Sequence, residues 1–124
     1  MFAHEKIHAY KNAVAFIAWT QPIIESPPAK VSARDQLERS STSVALNLAE
    51  GNAKFSPGER ARFFQSAHGS AVECAACLDV LVARGMMNSE TAEQGKELLE
   101  TVVAPILGLL AKLGCRIAED SDAQ

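Results

Sequence analysis

Residues 56–84, SPGERARFFQSAHGSAVECAACLDVLVAR, decide the fold, because they carry the clearest helix signals in the chain. Ser56 suits an N-cap, Pro57 the first helical position, and Glu59 the acidic partner in a capping box. Gly85 is a typical C-terminal stop. Between these signals, apolar and small residues recur every three or four positions, which predicts a coiled-coil-like seam along one long helix. The seam consists of Phe64, Ala67, Ala71, Cys74, Leu78 and Leu81.

Three further helices are predicted around this one. Helix 1 spans about residues 4–25 and ends before a double proline, which cannot continue a helix. Helix 2 spans about residues 32–50, and Gly51 follows as a stop. Helix 4 spans about residues 88–112, with a kink or a loosened turn at Pro105. The predicted inward positions are Ile7, Tyr10, Val14, Ile17 and Trp19 on helix 1, and Leu37, Ser41, Val44 and Leu48 on helix 2.

The short connections between these helices make sequential helices antiparallel neighbours. We therefore predict an all-α fold, an antiparallel up-down-up-down four-helix bundle formed by residues 1–118, with residues 119–124 as a disordered acidic tail. Small residues on several faces of helices 2 and 3 permit close packing, and helix 4 is apolar around much of its circumference between Val102 and Leu110. A lone bundle of this size buries one stripe per helix, so we predict self-association.

The charge distribution narrows the function mainly by exclusion. The chain carries a formal net charge of −3, which argues against a generic nucleic-acid binder. Residues 30–62 alone have a basic excess, with six basic side chains against four acidic ones, so a modest basic face is expected there. The candidate nucleic-acid contacts are Lys30, Arg34, Arg39, Lys54, Arg60 and Arg62.

Cysteine usage and hydropathy indicate where the protein resides. Three cysteines, an odd number, do not make a disulfide framework. The N-terminus is broken by charge and histidine, unlike a signal peptide, and uncharged stretches such as residues 101–111 are too short to span a bilayer. We expect a cytoplasmic protein with no membrane association, no cofactor and no evident small-molecule substrate.

Residues 4–8, His-Glu-Lys-Ile-His, are a literal HExxH match. On a helix this spacing points two histidines the same way to hold zinc, with the glutamate as general base. The match starts at His4, where helices fray, and neither a substrate-binding sheet nor a clear third ligand is evident. A metalloprotease is therefore disfavoured, and metal binding by the His4 and His8 pair is kept as a remote alternative.

Cys74 and Cys77 form a CxxC that lies in the middle of a helix, whereas redox motifs lie at a helix N-terminus, where the thiol pKa is lowered. We expect buried structural cysteines. Glu50 and Glu73 are the carboxylates nearest the centre of the helix 2 and helix 3 pair. We expect them to join a polar network with Arg39, Asn47 or Ser70 rather than to act as catalytic acids or bases.

Two sequence boxes resemble a known family. Residues 47–51, Asn-Leu-Ala-Glu-Gly, close one helix, and residues 69–73, Gly-Ser-Ala-Val-Glu, lie in the next. Together with the opening residues 4–13, they resemble the proteins encoded by intervening sequences within bacterial large-subunit ribosomal RNA genes, also labelled S23 ribosomal proteins. The matching positions, which we interpret as structural, are Asn47, Glu50, Gly51, Gly69, Ser70 and Glu73.

The resemblance implies an antiparallel four-helix bundle that forms a ring-like homopentamer and has no enzymatic activity. The similar accessory variability determinant proteins of diversity-generating retroelements bind nucleic acid and a reverse transcriptase through basic surfaces, from which this acidic chain departs. We therefore predict a non-enzymatic homo-oligomeric scaffold or adaptor, with RNA binding through the modest basic face as the alternative.

Overall fold

The computed structural model describes residues 3–26 and 32–115. A short 3-10 turn, Ala3–Lys6, precedes the first α-helix. Four α-helices follow, and no strand occurs within the described ranges. They are α1 (His8–Glu25), α2 (Ser32–Ala53), α3 (Pro57–Ala83) and α4 (Ser89–Lys112).

The four helices form a square bundle in which each helix contacts its two neighbours. α1 packs on α2, α2 on α3, α3 on α4, and α4 closes the square against α1. Across residues 3–26 and 32–115, no comparably close backbone approach joins α1 to α3 or α2 to α4. Only residues 54–56 separate α2 from α3, which forces these two helices to run antiparallel. The predicted all-α four-helix bundle is confirmed, and the predicted disordered tail lies outside the described residues.

The core contains the predicted seams of the two central helices. All six seam positions of α3 are buried, and so are the four predicted inward positions of α2. For helix 1 the prediction is wrong at Val14, which is 44% exposed, whereas the other four predicted positions pack against the core and are partly buried. The most deeply buried positions of α1 are Ala9, Ala13, Phe16 and Thr20. Ala9 and Ala13 let α1 approach its neighbours closely, Phe16 fills the core, and the partly buried Ile17 and Trp19 lie at the edge of the interface.

Local signals fix the ends of α3 as predicted. The backbone N–H of Glu59 donates to Ser56 Oγ at 3.2 Å, so serine caps the helix. At the other end Gly85 has φ +74, and the N–H of Met86 donates to the Leu81 carbonyl at 2.9 Å. These bonds form a Schellman motif, which satisfies carbonyls that the helix end leaves without partners.

Pro105 lies inside α4 without ending the helix, because a side chain from α1 compensates for its missing N–H. In a regular helix the N–H of residue 105 donates to the carbonyl of Thr101, and proline has none to give. Asn12 Nδ2 donates to that carbonyl at 2.9 Å. The bond ties α1 to α4 at the point where α4 lacks a hydrogen bond of its own.

Candidate functional site

A ladder of polar side chains joins α2 to α3 and contains three of the six family-box positions. Ser40, which is 4% exposed, donates to Glu73 Oε2 at 2.6 Å. One turn along, the hydroxyls of Ser43 and Ser70 lie 2.8 Å apart, and Asn47 Nδ2 donates to Ser43 Oγ at 2.9 Å. The predicted network of Glu50 and Glu73 with Arg39, Asn47 or Ser70 does not form as such: Ser40 and Ser43 of α2, which sequence reasoning had not singled out as partners, make the cross-links to Glu73 and Ser70.

Glu50 and Gly51 lie apart from this ladder. Glu50 is exposed, and its carboxylate lies 3.7 Å from Lys54 Nζ. The prediction that Gly51 stops α2 is wrong, because the helix continues to Ala53. Gly51 is buried against α3 instead, and a Cβ placed there would lie 2.7 Å from Phe64 Cε1 and 3.0 Å from Phe63 Cβ. Its lack of a side chain therefore sets how closely α2 and α3 approach.

The outward side of α3 carries a stripe of small and apolar residues, which we call the outer stripe. Its members recur every three or four residues and are all exposed, with Val72 at 53% and Val80 at 41%. By length and composition, α3 is the one helix in the described chain able to cross a membrane, yet only 33% of its most apolar window is buried inside the bundle. The outer stripe consists of Gly69, Val72, Ala76, Val80 and Ala83.

The exposed apolar surface was expected on helix 4, and it lies on α3 and α2 instead. The large apolar residues of α4 are buried or half-buried, and its outward positions include Ala104 and Gly108. On α2, Leu46 is 61% exposed and lies in an open surface groove beside Thr42 and Asn47. An i, i+4, i+8 series off the main seam, Val72-Ala76-Val80, is the sequence signal that could have identified the stripe.

A second open groove continues the outer stripe towards α2. Ala33 of α2 and Ala76, Cys77 and Val80 of α3 supply its apolar lining, and Glu73 is among its polar residues. The groove therefore begins where the polar ladder ends. One continuous surface over α2 and α3 thus combines four of the family-box residues, Asn47, Gly69, Ser70 and Glu73, with exposed apolar side chains.

The predicted basic residues do not form one face. Lys30 lies outside the described residues. Arg34 is buried, with its guanidinium donating to the Ser26 carbonyl, and Arg39 is exposed in the middle of α2. Lys54 lies beyond the last turn of α2, about 30 Å from Arg34 at 1.5 Å per helical residue.

Lys54 and the remaining two basic residues, Arg60 and Arg62, lie around the short turn between α2 and α3. Lys54 Nζ lies 5.2 Å from the centre of the Phe63 ring, and the Arg62 guanidinium carbon lies 5.8 Å from the same centre. Arg60 donates to the carbonyls of Asn52 and Lys54 at 3.1 and 3.3 Å, so it caps the end of α2. Sequence reasoning grouped these cations by charge alone and missed the aromatic residues among them.

The HExxH match does not form the helical pair that a zinc site requires. His4 belongs to the 3-10 turn and His8 begins α1, with Ile7 between them in an extended conformation at φ −81 and ψ 123. The His4 ring packs edge-on against Tyr10, with centroids 4.7 Å apart. Among the described residues, no group of three or more His, Cys, Asp or Glu side chains is arranged to hold a metal ion.

The CxxC cysteines are buried in the bundle, as expected. Burial, with smaller contributions from charge repulsion by the nearby Cys77 and Glu73, raises the pKa of Cys74 to about 12. Burial and the Glu73 charge also raise the pKa of Cys77. Both thiols are therefore protonated near neutral pH, which is the opposite of what a redox motif needs.

Comparison with known proteins places these features in a family context. The model of the 23S rRNA-intervening sequence protein family matches residues 5–108, a range that includes both sequence boxes. The fold is similar to the crystal structure of a protein of unknown function from the S23 ribosomal protein family of Bacteroides thetaiotaomicron, with a TM-score of 0.76 and 15% sequence identity. The alignment covers 82% of this chain and 97% of that chain. No curated protein matches the chain.

Proposed function

The chain belongs to the 23S rRNA-intervening sequence protein family, and from this premise we propose that it is a non-enzymatic, cytoplasmic homo-oligomer that acts as a scaffold. The observation that carries the proposal is the outer stripe of α3. It runs uncharged for about 21 Å at 1.5 Å per helical residue, and its side chains stay exposed among residues 3–26 and 32–115. The family resemblance implies a ring of five subunits.

The chemistry of the stripe favours a second copy of the chain as the partner. Gly69 and Ala76 let another helix approach closely, and Val72 and Val80 supply apolar area. Exposed apolar surface of this kind typically marks an interface between proteins.

Ring closure determines which surface meets the stripe. An odd-numbered ring requires a heterologous interface, in which two different patches of the same subunit meet. Leu46 on the outside of α2 is the second patch. The outward directions of neighbouring helices in a square bundle diverge by roughly a right angle, so two patches on neighbouring helices can meet a different subunit on each side in a small closed ring.

Light scattering coupled to size exclusion tests the assembly. We expect wild-type protein at micromolar concentration to be a closed oligomer and Ala76→Glu to be monomeric. The matched control is Ala18→Glu, which places the same charge at an exposed alanine on the outside of α1 and leaves the assembly intact. A monomeric wild type, or an Ala76→Glu variant of unchanged mass, refutes the proposal.

Mixing two variants tests the pairing of the patches. Leu46→Glu alone is also expected to be monomeric. An equimolar mixture of Leu46→Glu and Ala76→Glu is expected to give a two-subunit species, because one intact stripe can still meet one intact Leu46 surface. Failure of the mixture to associate contradicts the heterologous interface.

A further inference from the structure

The turn between α2 and α3 presents a phenylalanine for which the bundle provides no partner. Phe55 is 100% exposed. It lies in the three-residue connection 54–56, at the opposite end of α3 from the turn that contains Met86. An aromatic side chain that is wholly exposed contributes nothing to the core, so its chemistry is available to a ligand.

The turn is held firmly on both sides. On the α3 side, Ser56 caps the helix through Glu59. On the α2 side, Arg60 reaches back to the Lys54 carbonyl at 3.3 Å. Phe55 therefore projects from a backbone that is fixed before any ligand arrives, and binding through it costs little ordering of the chain.

Two cations accompany the exposed ring. Lys54 precedes Phe55, and Arg62 shares the Phe63 ring with Lys54 at 5.8 and 5.2 Å. Phe63 is half-buried and thus anchors both side chains at this end of the bundle. Residues 50–63 carry three basic and two acidic side chains, so the turn is locally positive on a chain of net charge −3. We call Lys54, Phe55, Arg62 and Phe63 the tip.

We infer that the tip binds single-stranded nucleic acid, with one base stacked on Phe55 and the flanking phosphates held by Lys54 and Arg62. An exposed aromatic ring beside lysine and arginine is the arrangement by which proteins bind single strands without sequence preference. Duplexes are excluded as the preferred ligand because their base faces are already stacked on one another.

Binding through the tip predicts a weaker salt dependence of affinity than binding through a general basic face. Arg60 is engaged with carbonyl oxygens, so Lys54 and Arg62 are the two cations for phosphates, with Lys54 exchanging its 3.7 Å contact to the exposed Glu50 carboxylate for a phosphate. With about 0.7 counterions released per single-strand phosphate contact, the slope of log affinity against log salt is about −1.4. A face using all six basic residues proposed from the sequence gives a slope of about −4.2 by the same rule.

Fluorescence anisotropy with a labelled oligothymidylate of about ten nucleotides, within the range of known single-strand site sizes, tests the inference. Phe55→Ala is expected to weaken binding by about 5-fold to 150-fold, the usual effect of losing one stacked base, and Phe55→Trp is expected to retain it. The matched control is Met86→Ala, which removes a 40%-exposed apolar side chain from the other turn and leaves affinity unchanged.

A second probe separates stacking from charge. An abasic oligonucleotide of the same length keeps the phosphates, so it is expected to bind the wild type and Phe55→Ala equally weakly. The inference is overturned if wild type does not bind the oligothymidylate at low salt, if Phe55→Ala binds it as tightly as wild type, or if a duplex binds more tightly. Phe55-dependent binding to anionic vesicles, without binding to the oligonucleotide, overturns it in favour of a membrane surface.

Discussion

Substituting Gly51 with alanine should destabilise the bundle, although alanine favours helices. A Cβ at this position would meet Phe64 Cε1 at 2.7 Å, Phe64 Cδ1 at 2.9 Å and Phe63 Cβ at 3.0 Å. Carbon atoms pack best at about 3.5–4.0 Å, so each contact is too short by half an ångström or more. The Phe64 ring is 0% exposed, and the Cβ of Phe63 is fixed to the backbone of α3, so neither can move aside freely.

The expected loss of stability in Gly51→Ala is the difference between a packing cost and a gain in helix propensity. Overpacking a core costs about 1–3 kcal/mol. Replacing a helical glycine with alanine returns about 1 kcal/mol of helix propensity. We therefore expect Gly51→Ala to lower the free energy of unfolding by about 0–2 kcal/mol, the difference between these terms.

Gly108→Ala is the matched control, because this glycine lies within α4 and a Cβ added to it would have no atom within 4 Å. Gly108→Ala gains the same helix propensity without a steric clash, so the free energies of unfolding of the two variants should differ by about 1–3 kcal/mol. Urea unfolding followed by far-ultraviolet circular dichroism measures this difference, at one protein concentration because assembly contributes to stability. If Gly51→Ala is as stable as Gly108→Ala, the close approach does not limit the packing of α2 on α3.

Three further predictions concern local interactions. Asn12→Ala should lower the free energy of unfolding in urea by about 0.5–1.5 kcal/mol. The loss should be smaller in a Pro105→Ala background, where the backbone N–H of residue 105 can donate to the Thr101 carbonyl; an equal loss in both backgrounds would contradict the idea that Asn12 compensates for Pro105. Ser56→Ala should cost about 0.5–2 kcal/mol by loss of the cap, whereas Ser66→Ala, at an exposed position within α3, should be close to neutral; equal costs would argue against capping. For Cys74, the pKa of the thiol is 9.0 in the unfolded chain and about 12 in the folded one, so the unfolded state loses its proton first and stability should fall as pH rises between these values; Cys74→Ala should lack this part of the decline.

The sequence predicts the central helices well because their signals are local. A capping serine, a proline at the first position and an unbroken three-four spacing specify α3 without reference to any other element. The prediction for α1 failed at Val14, because the apolar positions of this helix fit a helical period only loosely and the neighbouring Ala13 is the residue that faces the core. In the bundle the alanine is buried, since close helix approach favours the smaller residue there.

The surface features were harder to predict because they depend on how helices meet. Gly51 carries the usual sign of a helix end, and only the position of Phe64 on α3 shows that a close contact requires glycine. Phe55 stands in a connection with no periodicity, so nothing in the pattern separates an inward from an outward side chain. The family boxes were recognised as structural, but the partners of Glu73 and Ser70 follow from the register of α2 against α3.

The extensive contact between α2 and α3 has a consequence for the order of folding. These helices are joined by the shortest connection in the chain, so bringing them together costs the least loop-closure entropy. Their contact also contains the polar ladder and the Arg60 cap. The α2–α3 hairpin should therefore form first and open last, and its amide protons should exchange with solvent more slowly than those of α1 and α4.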